Sequence, residues 1–544
     1  MCEYSTVNVA QVHRLHNAPT KKSTIPFTVR LVENNHSSPE KGISGHEVPA
    51  DGSAVTFAPH RYPKLQSFKS AHHSKSKEKI VLVGGRTAGL HGFSDKVPNF
   101  SQADQNYALY VINLATDITT AAMLPANLQE SVGVMNAQAQ QVTNSKGKNY
   151  LFVVGGYGWS STSTPPRNIT HPTLTIITVD ELIDSIEAAA KSKTVPEISR
   201  FISQTSNKSF QVTGGEMLFV PASSSVSKAD TFHLVVGQCF EGNYGGRGDY
   251  QDSFKYSRSI LTFPVPYLDA NGNIPTIELT VLNASNCTSD AHNKSALDAQ
   301  LARRDLNVVP TFLPTSFDEK TGKALPGALI LSGVFQQDGS NAPYLQPIVF
   351  SFNKEDTKLP QDPDNPIKSF TVKPFFQMYN NYSCANLQLF SAKDQAIYNV
   401  LMGGVSYFFS SDTGGLDQAT SLFQVPFTTD VSILKMDNHG HCTQALSPKS
   451  DMFFSSTKIT TFGTEALFIP DNGLSTCTKA NLSSEIFDLD QIRSNWKIPV
   501  RLGSILGGIE SSEAVRFPPV FHPEYTVASS RLIDVYLEMA PSHK

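Results

Sequence analysis

Arg86 and His91 stand close together in GGRTAGLHG, where an arginine can grip a carboxylate or sulfate through two parallel bonds and a histidine can act as base or metal ligand. Other side chains able to do chemistry follow comparable glycines. They are Tyr157 and Trp159; Gln238, Glu241, Tyr244 and Arg247; Gln336 and Asp338; Tyr407; and Glu510 and Glu513. Brought to one face, such a mixture suits a pocket for a polar ligand. Ordinary solvated loops present the same mixture, with Arg86 paired to a nearby acid and His91 closing a turn. A catalytic version has Arg86 orienting an anionic group while His91, Glu241 or Tyr407 handles protons.

Elsewhere, HGHC places His439, His441 and Cys442 at metal-ligand spacing, although in an expected hairpin loop remote from the glycines. Arg247-Gly248-Asp249 spells an integrin-type tripeptide, a length that chance supplies often. The chain lacks GxxxxGK[ST], GxSxG and HExxH, which disfavours nucleotide hydrolysis, α/β-hydrolase chemistry and zinc peptidase activity.

The elements that would carry these residues form a repeat. A short aliphatic run ending in glycine occurs as IVLVGG (80–85), LFVVGG (151–156), FHLVVG (232–237), ALILSG (328–333), YNVLMGG (398–404) and GSILGG (503–508). A second strand-like run follows each: YALYVINL (107–114), LTIITV (174–179), RSILTFPV (258–265), QPIVFSF (346–352), SLFQVPF (421–427) and RLIDVYL (531–537). Third runs such as TIELTVL (276–282) and IKSFTV (367–372) complete four-stranded antiparallel meanders. Packing such meanders face on face in a ring buries their broad sides. This predicts an all-β, six-bladed propeller over 25–540, with short tails at 1–24 and 541–544. The last repeat lacks a strand, and IPFTVRLVEN (25–34) is expected to supply it, closing the ring. Glycine is expected where inner strands crowd the axis. Helical insertions are predicted at TVDELIDSIEAAAKS, with Thr178 and Glu181 as a capping box, and at SALDAQLARR, capped by Ser295 and ending at Arg303 and Arg304. Residues 35–78 read as an irregular connection.

With 44 Lys+Arg against 48 Asp+Glu, the chain has no basic excess for nucleic acid and no polybasic membrane anchor. It has no apolar run long enough to span a bilayer and no secretory signal near its start, so it reads as soluble and is expected to be a monomer. Six cysteines without paired spacing read as free, mostly buried thiols. Sequons, clustered at Asn283, Asn286 and Asn293, point weakly to an extracellular location, and the compartment stays open.

The repeated doublets resemble those of kelch-type propellers, in divergent form, since only Trp159 and Trp496 are present. The strings GGRTAGLHGF, YLFVVGGYG, VTGGEM, GQCFEGNYGG, RRDLNVVP, YNNYSCA, GGVSYFF and VPF are similar to a family of uncharacterised, secreted kelch-like proteins of bacteria. That resemblance implies the fold and no established activity. Copper oxidases on kelch-like propellers use a Tyr–Cys crosslink and two histidines, for which Tyr157, Cys239, His91 and Tyr407 are the right types. Iron-binding ones would use His91, Glu241 and Asp338 here. Copper and iron are thus the metals to consider. The leading expectation is a binder of a glycan, peptide or polar small molecule on the post-glycine face. The alternative is an enzyme of oxidase, lyase or cyclase type at the axial mouth.

Overall fold

The computed structural model describes residues 25–33, 41–92, 100–222, 229–242, 255–287, 291–334, 336, 342–352, 370–381, 383–410, 416–418, 427–447, 454–455, 458–459, 461–462, 464–479, 482–511 and 525–539. The chain forms a six-bladed β-propeller of antiparallel sheets. Blade 1 is built from Lys69–His72, Lys79–Val83, Ala108–Asn113 and Ile118–Met123. Blade 2 contains Gln138–Thr143, Asn149–Val154, Thr173–Thr178 and Ile202–Ser206. Blade 3 contains Glu216–Val220, Thr231–Val235, Ser259–Pro264 and Thr280–Asn283. Blade 4 contains Asn307–Phe312, Pro326–Leu331, Ile348–Ser351 and Phe370–Val372. Blade 5 contains Ala385–Ser391, Ala396–Met402, Val431–Asp437 and Cys442–Leu446. Blade 6 contains Ala466–Pro470, Val500–Gly507 and Leu532–Met539, with Phe27–Glu33 as its outer strand.

First strands of neighbouring blades lie against one another around the axis. Between successive blades, alternating aliphatic residues form six separate cores. One core joins Ile80, Leu82 and Tyr110 of blade 1 to Ile469, Leu506 and Leu532 of blade 6, so the ring is closed. Phe27–Glu33 pairs antiparallel with Ile533–Met539, as the missing-strand argument requires. Phe27, Val29 and Leu31 are fully buried there, and the Phe27 ring meets Tyr398 of blade 5 edge-on at 5.0 Å.

The glycines end the second strand of each blade rather than the axial one, and their physical reason is the seam between blades. In every blade two successive residues adopt left-handed backbone: Gly84–Gly85, Gly155–Gly156, Val236–Gly237, Ser332–Gly333, Gly403–Gly404 and Gly507–Gly508. That conformation turns the second N–H toward the segment entering the next blade. Gly85 donates to the Val134 carbonyl at 2.8 Å, Gly156 to Val212 at 2.9 Å and Gly508 to Leu65 at 2.9 Å. The neighbouring backbone comes so near that a Cβ on Gly155 would stand 1.9 Å from the Val212 oxygen.

Other expectations need correction. The third strand of blade 5 is Val431–Asp437; of SLFQVPF, residues 421–426 lie outside the described residues and Phe427 makes a lone bridge with Val405. Pro426 cannot donate to a ladder, which argues against a central strand at that point. Residues 35–78 contain the first strand of blade 1 and a further edge strand, Val55–Thr56, against Thr120–Ala121. The helix Val179–Ser192 forms and buries Leu182, Ile183, Ile186 and Ala189, but the Thr178 side chain makes no cap bond. Asp180 in its first turn accepts from Ser74 N and Asn149 Nδ2 instead, both at 2.9 Å, tying the helix to blades 1 and 2. The second insertion runs Ala291–Leu301, so Ser295 lies inside it and Arg303 and Arg304 follow its end. Cys239, Cys384, Cys442 and Cys477 are free thiols.

Candidate functional site

Because first and second strands are antiparallel, the glycine face is also the face where each first strand begins. One or two residues before each of those strands, the backbone is again left-handed: Ser67, Asn136, Gly214, Asp305, Ser383 and Glu465 have φ of 55°, 51°, 67°, 46°, 49° and 67°. These residues form a ring around the axial mouth, stitched by backbone bonds between blades. Ser67 N donates to the Glu465 carbonyl (3.2 Å), Glu465 N to Ser383 (2.6 Å), Asp305 N to Gly214 (2.8 Å) and Gly214 N to Asn136 (3.0 Å). The Glu465 carboxylate accepts from the Ser67 hydroxyl at 2.9 Å and from the Ser383 hydroxyl at 2.8 Å.

Below the ring, side chains meet across the lumen. Lys69 of blade 1 stands 3.6 Å from Glu216 of blade 3, reaching past blade 2. Gln140 of blade 2 donates at 3.0 Å to Glu485, which belongs to the connection between the first two strands of blade 6. That connection enters the axis. Its Ile486–Asp488 pairs in parallel with the axial edge of Ala385–Ser391, with Ile486 opposite Gln388. Leu482 and Ile486 are anchored in the core between blades 4 and 5, and Phe487, Leu489 and Ile492 in the core between blades 5 and 6. The short helix Leu489–Asn495 follows, its start capped by Asp488, which accepts from Gln491 N at 3.0 Å. Lys69, Glu216, Gln140 and Glu485 thus line one axial space, the axial well, on its glycine-face side.

Four carboxyls, Glu216, Asp305, Glu465 and Glu485, gather here with Lys69, and Asp305 is also paired with Arg304 at 3.6 Å. Burial pushes Glu465 up to about 7, helped by the charge of Asp305. Burial likewise brings Glu485 to about 7, helped by Glu216 and opposed by the Gln140 bond and by Lys69. Glu216 and Asp305 are raised too, again mainly by burial. A carboxyl whose folded value lies above its unfolded value binds its proton more tightly when folded. These groups therefore favour folding at low pH, and that contribution is lost as pH rises from 4.5 to about 7. Glu465→Gln and Glu485→Gln should each raise stability at pH 8 by about 1–2 kcal/mol, a gain that disappears at pH 4. Thermal melts across that range check this; a gain of equal size at both pH values would contradict it.

The loops above the well carry the residues singled out from sequence. Directly after the doublets come Arg86, Tyr157, Gln238, Val334, Val405 and Ile509. Val334, Val405, Phe427 and Ile509 form an apolar cluster that Leu90 and Tyr407 join, linking the loop of blade 1 to blades 4, 5 and 6. The opposite half is aromatic and basic. Phe100 lies 4.9 Å from the Arg86 guanidinium, 4.7 Å from the His91 ring and 5.0 Å from the Tyr157 ring. Arg86, His91 and Tyr157 are thus brought together. Arg86 is buried and contacts Asp104 at 3.3 Å. The Tyr157 hydroxyl donates to the Gly242 carbonyl. His91 Nδ1 lies 2.8 Å from the Gly92 carbonyl, and a carbonyl only accepts, so Nδ1 carries the proton. Burial, with Arg86 and Arg304 nearby, pushes His91 down to about 3 and keeps it neutral. In this arrangement Arg86 and His91 serve the packing of their own loop.

The remaining candidates are dispersed. Glu241 is committed to Arg167 at 2.8 Å, partly exposed, and Gln238 accepts from buried Arg304 at 2.5 Å. Trp159 lies in the hairpin Tyr157–Ser160 with Arg167–Thr170. Gln336 donates to Pro343 O within its own loop (2.6 Å), and Tyr407 N donates to Asn380 Oδ1 (2.8 Å). Glu510 is buried, accepting from Ser529 and paired with Arg531 at 2.8 Å. Tyr244, Arg247, Asp338 and Glu513 lie outside the described residues. Among the described residues no group of three or more His, Cys, Asp or Glu is placed to hold a metal ion, and His439 and His441 sit in an exposed turn held by Asp437. Nor does any helix among them have the length and apolarity to cross a membrane.

Sequence reasoning missed the axial carboxyls. Their signal was a polar residue at or just before a first strand: Glu216 in VTGGEM and Asp305 in RRDLNVVP stood inside strings noticed only as fold markers. Geometry thus defines a six-bladed propeller with an acidic axial well. No family model matches the chain, and no curated protein matches it.

Proposed function

We propose that this kelch-like propeller binds a polar ligand in the axial well, entered from the glycine face, and that the ligand presents an ammonium or guanidinium group. Of the glycan, peptide and small-molecule classes, this favours a basic peptide side chain or a small amine. The observation that carries the reading is the convergence of Glu216, Glu465 and Glu485 on Lys69, with Asp305, itself paired with Arg304 at 3.6 Å, beside them. Enclosed acids with too few counter-charges destabilise the empty fold, and an incoming cation relieves that cost.

Calorimetric titration with N-acetyl-lysine amide and with putrescine tests this, with N-acetylglucosamine as neutral control. Binding at pH 8 should weaken by at least about tenfold at pH 5, where Glu465 and Glu485 are protonated, and similarly in Glu465→Gln at pH 8. Equal uptake of the neutral sugar, or no dependence on pH, would refute the assignment. One observation favours the enzymatic alternative: two carboxyls brought to about 7 suit proton transfer at neutral pH. Under that reading Glu465→Gln abolishes turnover of an amine-bearing substrate while the substrate still binds.

A further inference from the structure

Residues 86–92 leave the doublet of blade 1, and two consecutive side chains near their end reach opposite sides of the ring. Leu90 packs against the cluster of Val334, Val405, Phe427 and Ile509, which blades 4, 5 and 6 contribute. The His91 ring lies 4.7 Å from that of Phe100, whose own cluster adds Met135 and Tyr157 of blade 2 and Phe240 of blade 3. Adjacent Cα atoms are only about 3.8 Å apart, so one pair of residues can touch both halves of the ring only over the axial mouth.

The loop is also tied to that mouth. Gln66, next to the ring residue Ser67, donates through Nε2 to the Ala88 and Gly89 carbonyls, both at 2.8 Å. Leu90 N donates to the Thr526 hydroxyl at 2.9 Å, and Ala88 bridges Val527, which moors the loop to blade 6. Glycine at 89 permits this closeness, because a Cβ there would collide with Thr526. None of residues 86–92 belongs to a strand of the six blade sheets, so the loop can lift without unzipping a blade.

We propose that residues 86–92 form a gate over the axial well, shut by the Leu90 side chain and by the bond from Leu90 N to Thr526, which lifts to admit a ligand and closes over it. The gate's use rests on the well taking a cationic ligand; its opening does not.

Reaction of Ser67→Cys, placed in the ring beneath the gate, with a cationic methanethiosulfonate reports opening without any ligand, and peptide mapping after timed labelling reads the rate. Adding Leu90→Ala should speed labelling at position 67 by at least about tenfold. Adding Thr526→Val, which removes one hydrogen bond, should speed it about threefold. Cys477, buried in the core between blades 5 and 6, should label equally slowly throughout, which separates gate opening from general loosening. Equal rates at position 67 in all three proteins, or a parallel rise at Cys477, would overturn the inference. Should Leu90→Ala fail to fold, Thr526→Val decides alone. Putrescine is the second probe, and its association rate should quicken in the same two variants. Labelling that responds while putrescine fails to bind would uphold the gate and remove the cationic-ligand reading; putrescine binding with unresponsive labelling would do the reverse.

Discussion

Deleting Phe27–Glu33 should cost about 5–9 kcal/mol, a sum comparable with the whole stability of a typical domain. Three fully buried side chains, Phe27, Val29 and Leu31, leave the molecule with this strand, at about 1.5–3 kcal/mol each. The ladder with Ile533–Met539 goes with them, as does the bond from Val29 N to the Ser447 hydroxyl at 3.0 Å in blade 5. The outer edge of blade 6 and its core with blade 5 would be laid open together. The expected result is an aggregating protein or a melting temperature far below wild type. A milder probe is Leu31→Asp, which places a charge in the same fully buried position. Wild-type melting in both variants would show that the ring does not depend on its clasp.

Gly155→Val should be as damaging through a single residue, at about 4 kcal/mol or more. Two penalties combine. Gly155 has φ +66°, a region that a β-branched residue rarely enters, and its new Cβ would fall 1.9 Å from the Val212 oxygen. The obstructing atom is backbone of the next blade, so no side-chain rotation clears it. Gly147, also left-handed at +76° but with open space around it, separates the two effects. Gly147→Ala should cost only about 1–2 kcal/mol, the strain alone. Equal stability losses at the two positions, read by chemical denaturation, would contradict the seam argument.

Doublets made the propeller legible because each blade needs two left-handed residues at the same place, and glycine fills ten of those twelve positions. Val236 and Ser332 occupy the other two, so FHLVVG and ALILSG showed a single glycine while folding alike. The blade 5 register was misread because SLFQVPF and VSILKMD are both apolar runs, and only Pro426 distinguishes them. Arg86, His91 and Tyr157 were legible as neighbours because they follow doublets on adjacent blades. The acidic well was not. Lys69, Glu216, Asp305, Glu465 and Glu485 come from blades 1, 3, 4 and 6, each an ordinary polar residue in its own stretch. Only ring closure gives them a common centre.

The strand Ile486–Asp488 is lent by blade 6 to blade 5, where it becomes a fifth strand beside Ala385–Ser391. Its neighbours Phe487, Leu489 and Ile492 then sit in the core that the two blades share. The last blade is therefore laced to its predecessor on the axial side as it is clasped by Phe27–Glu33 on the outer side. Parting blades 5 and 6 would mean breaking a strand pairing as well as opening an apolar seam.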